Sequence, residues 1–181
     1  MKRIITAAMP VSRLQQELNG LRQDRKALIN CETIEDIEAV EWYYFNVPRI
    51  VKQQMGLGQT LEESIDSMLD TIHEYIKKTK QEIVQSREYA AKKAQVFETL
   101  HDLSDRYELV DITESKLIFN PPEGATHEDC IHFVDDVVNL VNGKYVFTGR
   151  GGSWTRWDLK SDSGVNLQAG WEGNGLWSVN V

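Results

Sequence analysis

Four groups of side chains in this sequence have types and spacings that chemistry or binding could use. The first is a row of carboxylates. Glu62, Asp66, Asp70 and Glu74 recur every four residues, with Glu63 beside them. On a helix such residues share one face, rising about 6 Å and turning about 40° per step. Like charges at this spacing cost a few tenths of a kcal/mol per pair, and a helix N-terminus partly offsets that for the first two. The row reads either as a solvated face or as an imitation of spaced phosphates that docks on a basic groove. Its rotation weakens any match to a straight strand.

The second group is aromatic and basic. Trp154, Trp157, Trp171 and Trp177 lie close together with Arg150, Arg156 and Lys160 among them. In a strand Trp154 and Arg156 share a face. Exposed, they could stack on single-stranded bases; exposed Trp with Asn and Asp could instead stack on sugars. Buried, the same indoles would make the core of a small sheet.

The third group centres on His132, with Glu128 four residues before it and Asp136 four after, so three possible ligands share one helical face. An amphipathic helix shows such a polar stripe anyway, and neither metal nor cofactor is assigned. The fourth is Trp42, Tyr43, Tyr44 and Phe45, four consecutive aromatics that cannot all point inward from one helix. Trp42 and Tyr43 are the candidate interface anchors, since Trp and Tyr favour that role.

Nucleophilic catalysis finds no support. No G-x-S-x-G, P-loop or dinucleotide fingerprint occurs. Cys130 falls on an apolar helix side and reads as a packed thiol, while His73 and His101, beside carboxylates, read as solvated. Gly149–Gly152 lies between expected strands rather than before a helix, so it reads as a hairpin loop. The chain is therefore expected not to be an enzyme.

Charge narrows the partners. The 181 residues carry a net charge of −8. Residues 1–59 hold 8 basic and 7 acidic groups, residues 60–105 hold 6 and 10, and residues 106–181 hold 6 and 11. Phosphates repel such a chain, which disfavours generic binding to nucleic acid or anionic membrane. Two distant cysteines, Cys31 and Cys130, make no disulfide framework and point to a reducing cytoplasm. No stretch is long and apolar enough to span a bilayer.

These groups need elements to position them. Thr60 and Glu63 form a capping box, and no Pro or Gly interrupts the chain from there to Pro121. Apolar residues recur at Leu61, Ile65, Met68, Ile72, Ile76 and Ile83, then at Tyr89, Val96, Leu100 and Leu103, which predicts one helix of about 44 residues. Straight, it would measure about 65 Å, against a diameter of about 40 Å for a compact chain of this length. It must break, protrude or pack on a second copy, and Lys77 to Arg87 is the thinly apolar stretch where a bend would fall.

Before it, Ser12 is expected to cap a helix with the stripe Leu14, Leu18, Leu21 and Leu28, Arg25 filling the missing turn. Thr33 and Asp36 start a second helix whose buried face is Ile37, Val40, Tyr44 and Val47. Asn46 and Pro48 start a third that ends at Gly56. Behind the long helix, Glu108–Ile112 and Lys116–Asn120 read as a hairpin. Thr126 caps a helix from His127 to Asn142, stopped by Gly143. Strands are expected at Lys144–Thr148, Ser153–Lys160, Val165–Trp171 and Leu176–Val181.

The expectation is an α+β chain. Residues 1–105 are a helical hairpin or bundle built on the helix of about residues 60–104, and residues 106–181 are a ββαββββ antiparallel sheet with one helix packed on it. The leading functional reading is a non-catalytic acidic interaction module. In its sharpest form it is an inhibitor that blocks the basic nucleic-acid groove of a partner enzyme, as phage-type anti-defence proteins do, with a homodimer through the long helix also open. The alternatives are single-stranded nucleic-acid binding through Arg150, Trp154, Arg156 and Lys160, and a small enzyme with a His132-centred site.

Overall fold

The structure, a computed structural model, describes residues 10–146, 156–172 and 174–181. It is α+β, with helices first and then a six-stranded antiparallel sheet carrying one helix. The chain forms two compact units, Met1–Glu88 and Tyr89–Val181. The helix α4 (Leu61–Leu100) runs through that division.

In the first unit, α1 (Val11–Ile29), α2 (Ile34–Ala39) and α3 (Val47–Gly56) surround the N-terminal part of α4. Leu14, Leu18, Leu21, Leu28, Cys31, Ile37, Val47, Val51, Met68, Ile72, Ile76 and Ile83 form its apolar core. Capping boxes close locally, as expected. The Thr33 hydroxyl accepts from Asp36 N–H at 3.1 Å, and Asp36 accepts from Thr33 N–H at 2.9 Å. At α4, Glu63 N–H reaches Thr60 Oγ1 at 3.1 Å, and Thr60 N–H reaches Glu63 Oε2 at 2.8 Å.

Three local expectations fail here. Pro10, not Ser12, occupies the N-cap of α1, with no side-chain cap; proline needs no N–H partner at a helix start. Arg25 is exposed, and the turn left open by the leucines is filled by Asp24, which is 1% exposed. The second helix stops at Ala39, so Val40 and Tyr44 do not continue its face and Val47 opens α3. Val40 is already extended (ψ 138°), which stops α2 there. Beyond it the Asp24 carboxylate accepts backbone N–H bonds from Tyr43, Tyr44 and Phe45 at 2.8, 2.9 and 3.0 Å, which is why a carboxylate fills the inward position that an apolar stripe would leave to Arg25.

The second unit takes the end of α4, a 3₁₀ turn (His101–Asp105), β1 (Glu108–Ile112), β2 (Lys116–Asn120), α5 (His127–Leu140), β3 (Lys144–Tyr145), β4 (Arg156–Lys160), β5 (Asn166–Trp171) and β6 (Trp177–Asn180). The helical reading of Leu103 thus tightens into 3₁₀. The strand order is β1-β2-β6-β5-β4-β3. The last four strands form the expected meander, and the first hairpin joins it through β2 and β6, with Leu117 opposite Val179. The register of β1 and β2 slips between Leu109 and Asp111, leaving Val110 as a bulge.

The core forms on the face carrying Leu117, Phe119, Leu159, Leu167, Ala169, Trp177 and Val179. Against it pack Cys130, Phe133, Val134 and Val137 of α5, together with Val96 and Leu100 of α4. Phe133 meets Tyr107 and Phe119 edge to face and Trp177 at a tilt, at ring-centre distances of 5.0, 5.5 and 5.1 Å. After α5, Asn142 takes the left-handed conformation (φ 45°), so Asn142 rather than Gly143 turns the chain. Gly143 is needed for another reason: a Cβ there would lie 2.8 Å from the Lys160 carbonyl oxygen. Phe133→Ala is expected to destabilise the second unit by about 3–5 kcal/mol, read as a lowered urea midpoint of Trp fluorescence.

Candidate interaction surface

The carboxylate row stands where α4 turns away from its core. Ser64, Met68, Ile72 and Ile76 are buried, and Glu62, Asp66, Asp70 and Glu74 are exposed. Among the described residues none of these four takes part in an ion pair. Asp66, Asp70 and Glu74 line one open depression with Glu63, Ser67, Thr71 and Tyr75. Glu62 is not part of its lining, and Glu63 takes its place. The helical rotation of about 40° per four residues accounts for the exchange.

One aromatic ring, Tyr75, lines the depression, and two more pack against it. Tyr75 follows Glu74 and is 42% exposed. Phe45 meets it edge-on at 5.2 Å and Tyr44 lies 6.1 Å away, with Tyr44 and Phe45 themselves 4.9 Å apart. Of the two aromatic residues singled out from sequence, Tyr43 is at the surface, 65% exposed. Trp42 turns inward: it packs against the first core, and its indole N–H donates to the Ile37 carbonyl at 2.9 Å. Tyr44 and Tyr75 escaped the sequence reading as surface residues. The only sequence signal for Tyr44 was its place in the aromatic run, and Tyr75 carried none.

The residues of the second candidate site are divided. Arg150 and Trp154, like Gly149–Gly152, lie outside the described residues. Arg156 is engaged within the fold, its Nε donating to the Trp171 carbonyl at 2.9 Å and its Nη2 to Glu172 at 2.8 Å. Glu172 also pairs with Lys116 and accepts from Ser178 Oγ at 2.6 Å. Lys160 is exposed at the end of β4. Trp157, Trp171 and Trp177 pack in or against the sheet core, Trp171 and Trp177 edge to face at 5.8 Å.

At His132 the stripe does not converge. His132 is exposed, while Asp136 accepts from Arg106 Nη1 at 2.8 Å and from the Tyr107 hydroxyl at 2.7 Å. Among the described residues no three His, Cys, Asp or Glu side chains are gathered as a metal site. Burial pushes the Cys130 thiol up to about 12, and burial together with the Asp36 charge raises that of Cys31, so both stay protonated at neutral pH. Among the described residues no helix is long and apolar enough to cross a membrane. The chain matches no known family model, no curated protein and no solved structure.

Glu172 gives this unit a pH signature. Burial raises its carboxyl pKa, but hydrogen bonds from Lys116 and Ser178 and the charges of Arg156 and Lys116 outweigh that and bring it below the ordinary 4.5. A depressed folded-state value means the stabilisation is complete above the unfolded value and fades as pH falls through the folded one. The unfolding free energy of the second unit is therefore expected to drop on acidification below about 4.5, and Glu172→Gln to be less stable at neutral pH with a shallower acid slope. Denaturant titrations from pH 7 to pH 3 measure both.

Proposed function

We propose that the protein is a non-catalytic interaction module. Its acidic α4 face and the tyrosines beside it dock on a basic surface of a partner protein. The observation that supports this most is that Glu63, Asp66, Asp70 and Glu74 are exposed, without ion-pair partners among the described residues, and bordered by exposed Tyr75. Solvated acidic faces are common on helices. Exposed tyrosines set against one are less so, and Tyr and Arg are enriched at the energetic centres of protein interfaces.

The sharper form is inhibition of a nucleic-acid enzyme through its phosphate-binding groove. Successive carboxylates rise about 6 Å along the helix, whereas one strand of duplex DNA carries a charge about every 3.4 Å. The face would thus engage roughly every second phosphate position over a few steps before its rotation carries it away. A groove that binds phosphate through Lys and Arg would accept carboxylates by the same charge-assisted hydrogen bonds.

The test is affinity capture with nuclease present, comparing the native chain with a variant in which Glu62, Asp66, Asp70 and Glu74 are all changed to Lys. A stoichiometric partner is expected with the native chain, its capture weakening as salt rises from about 0.05 to 0.5 M, since the Debye length shrinks across that range. The variant is expected to lose at least about tenfold in affinity while keeping its helical circular dichroism, with tenfold corresponding to about 1.4 kcal/mol. Undiminished capture by the folded variant would refute the reading.

A further inference from the structure

The loop of residues 40–46 carries Tyr44 and Phe45, which meet Tyr75, and lies outside helix and strand, with Val40, Trp42 and Phe45 packed against the first core. The amide groups of Tyr43, Tyr44 and Phe45 converge on Asp24 of α1, at 2.8 to 3.0 Å. Asp24 is 1% exposed and, among the described residues, forms no ion pair with Lys, Arg or His. A carboxylate in that setting is costly unless hydrogen-bonded. Leucines occupy the neighbouring inward positions 14, 18, 21 and 28, so packing alone would favour an apolar residue at 24. One turn before, Gly20 faces the same loop, where a Cβ would stand in ordinary contact, 3.4 Å from Tyr43 Cβ. Asp24 is thus the position of α1 whose residue type answers to the loop rather than to the helix.

We propose that Asp24 is a positioning residue, a buried carboxylate that fixes residues 43–45 so that Tyr44 and Phe45 set their rings against Tyr75, which lines the depression with Glu74 and Asp70, making this end of the surface selective for arginine. The inference deepens the interaction-module reading and rests on it for the choice of ligand. Guanidinium groups stack on aromatic faces and pair with carboxylates in a planar fork, whereas ammonium groups act as compact point charges. A surface joining carboxylates to tyrosine rings thereby distinguishes the two, provided the rings are held in place.

The experiment uses the full chain with Asp24→Asn, Asp24→Ala and Tyr75→Leu. Hydrogen exchange reads the loop directly. The amides of residues 43–45 are expected to lose protection at least about tenfold in Asp24→Ala, an open-state change of about 1.4 kcal/mol, while amides in α1 and α4 keep theirs. Asp24→Asn retains one carbonyl oxygen and is expected to fall between. Unchanged loop protection in Asp24→Ala overturns the proposal. If Asp24→Ala does not fold, Asp24→Asn decides: loss confined to the loop supports positioning, and collapse of the whole unit overturns it.

Calorimetry with deca-arginine and deca-lysine peptides reads selectivity. The native chain is expected to bind the arginine peptide about two- to fivefold tighter, the ratio a cation–π contact at an exposed site gives. Asp24→Ala and Tyr75→Leu are expected to bind both peptides equally, with their charge-driven affinity intact. Equal binding by the native chain overturns the arginine assignment. If neither peptide binds, the interaction-module reading fails, and hydrogen exchange still decides whether Asp24 holds the loop.

Discussion

A helix of 40 residues cannot bury itself, and everything else in this chain answers that constraint. Its apolar stripe changes partners along its length. Met68, Ile72, Ile76 and Ile83 are covered by helices, whereas Val96 and Leu100 join the core of a sheet. Each unit is built on its own part of α4, and each leaves the opposite face of that part in water. The acidic surface is the remainder of this arrangement: residues the stripe does not use, next to the loop that follows α2.

Polar groups inside the two units set local conformation where apolar packing could not. In the first unit a carboxylate gathers three backbone donors from the loop that follows α2. In the second, Glu172 gathers Lys116, Arg156 and Ser178 and ties β2, β4 and β6 together on the side of the sheet opposite the core. A candidate for base stacking, Arg156, thereby serves the sheet. Likewise Asp136, read as a possible ligand beside His132, fastens the start of the β1 hairpin through Arg106 and Tyr107.

What could be read in advance was what neighbours in sequence decide. The capping boxes at Thr33 and Thr60 close over three residues, and the α4 stripe repeats over many turns, so both were legible. The β meander was legible because short turns with Gly164 and Gly175 join consecutive strands; both glycines have positive φ. The role of Asp24 was not, because its partners lie 19 to 21 residues away and its neighbour Arg25 fits an amphipathic helix equally well. In the candidate surface, the exposure of the acidic row followed from periodicity alone. Tyr75 as its neighbour did not, since its aromatic partners come from a different element. Trp42 and Tyr43 are adjacent in sequence, and only the loop's path decides which one faces water.

The bulge at Val110 has a consequence for the sheet's edges. Among the described residues, with the order β1-β2-β6-β5-β4-β3, the outermost strands are β1 and β3. An open edge is a row of unpaired donors and acceptors on which a further strand can grow. Here β3 offers two residues, and β1 breaks its register at Val110, where a regular ladder cannot continue. Val110 and Ile112 are exposed on that strand, which would otherwise make it an adhesive margin. The irregularity interrupts the ladder on this margin, so that an apolar outer strand offers its like no continuous row to pair with.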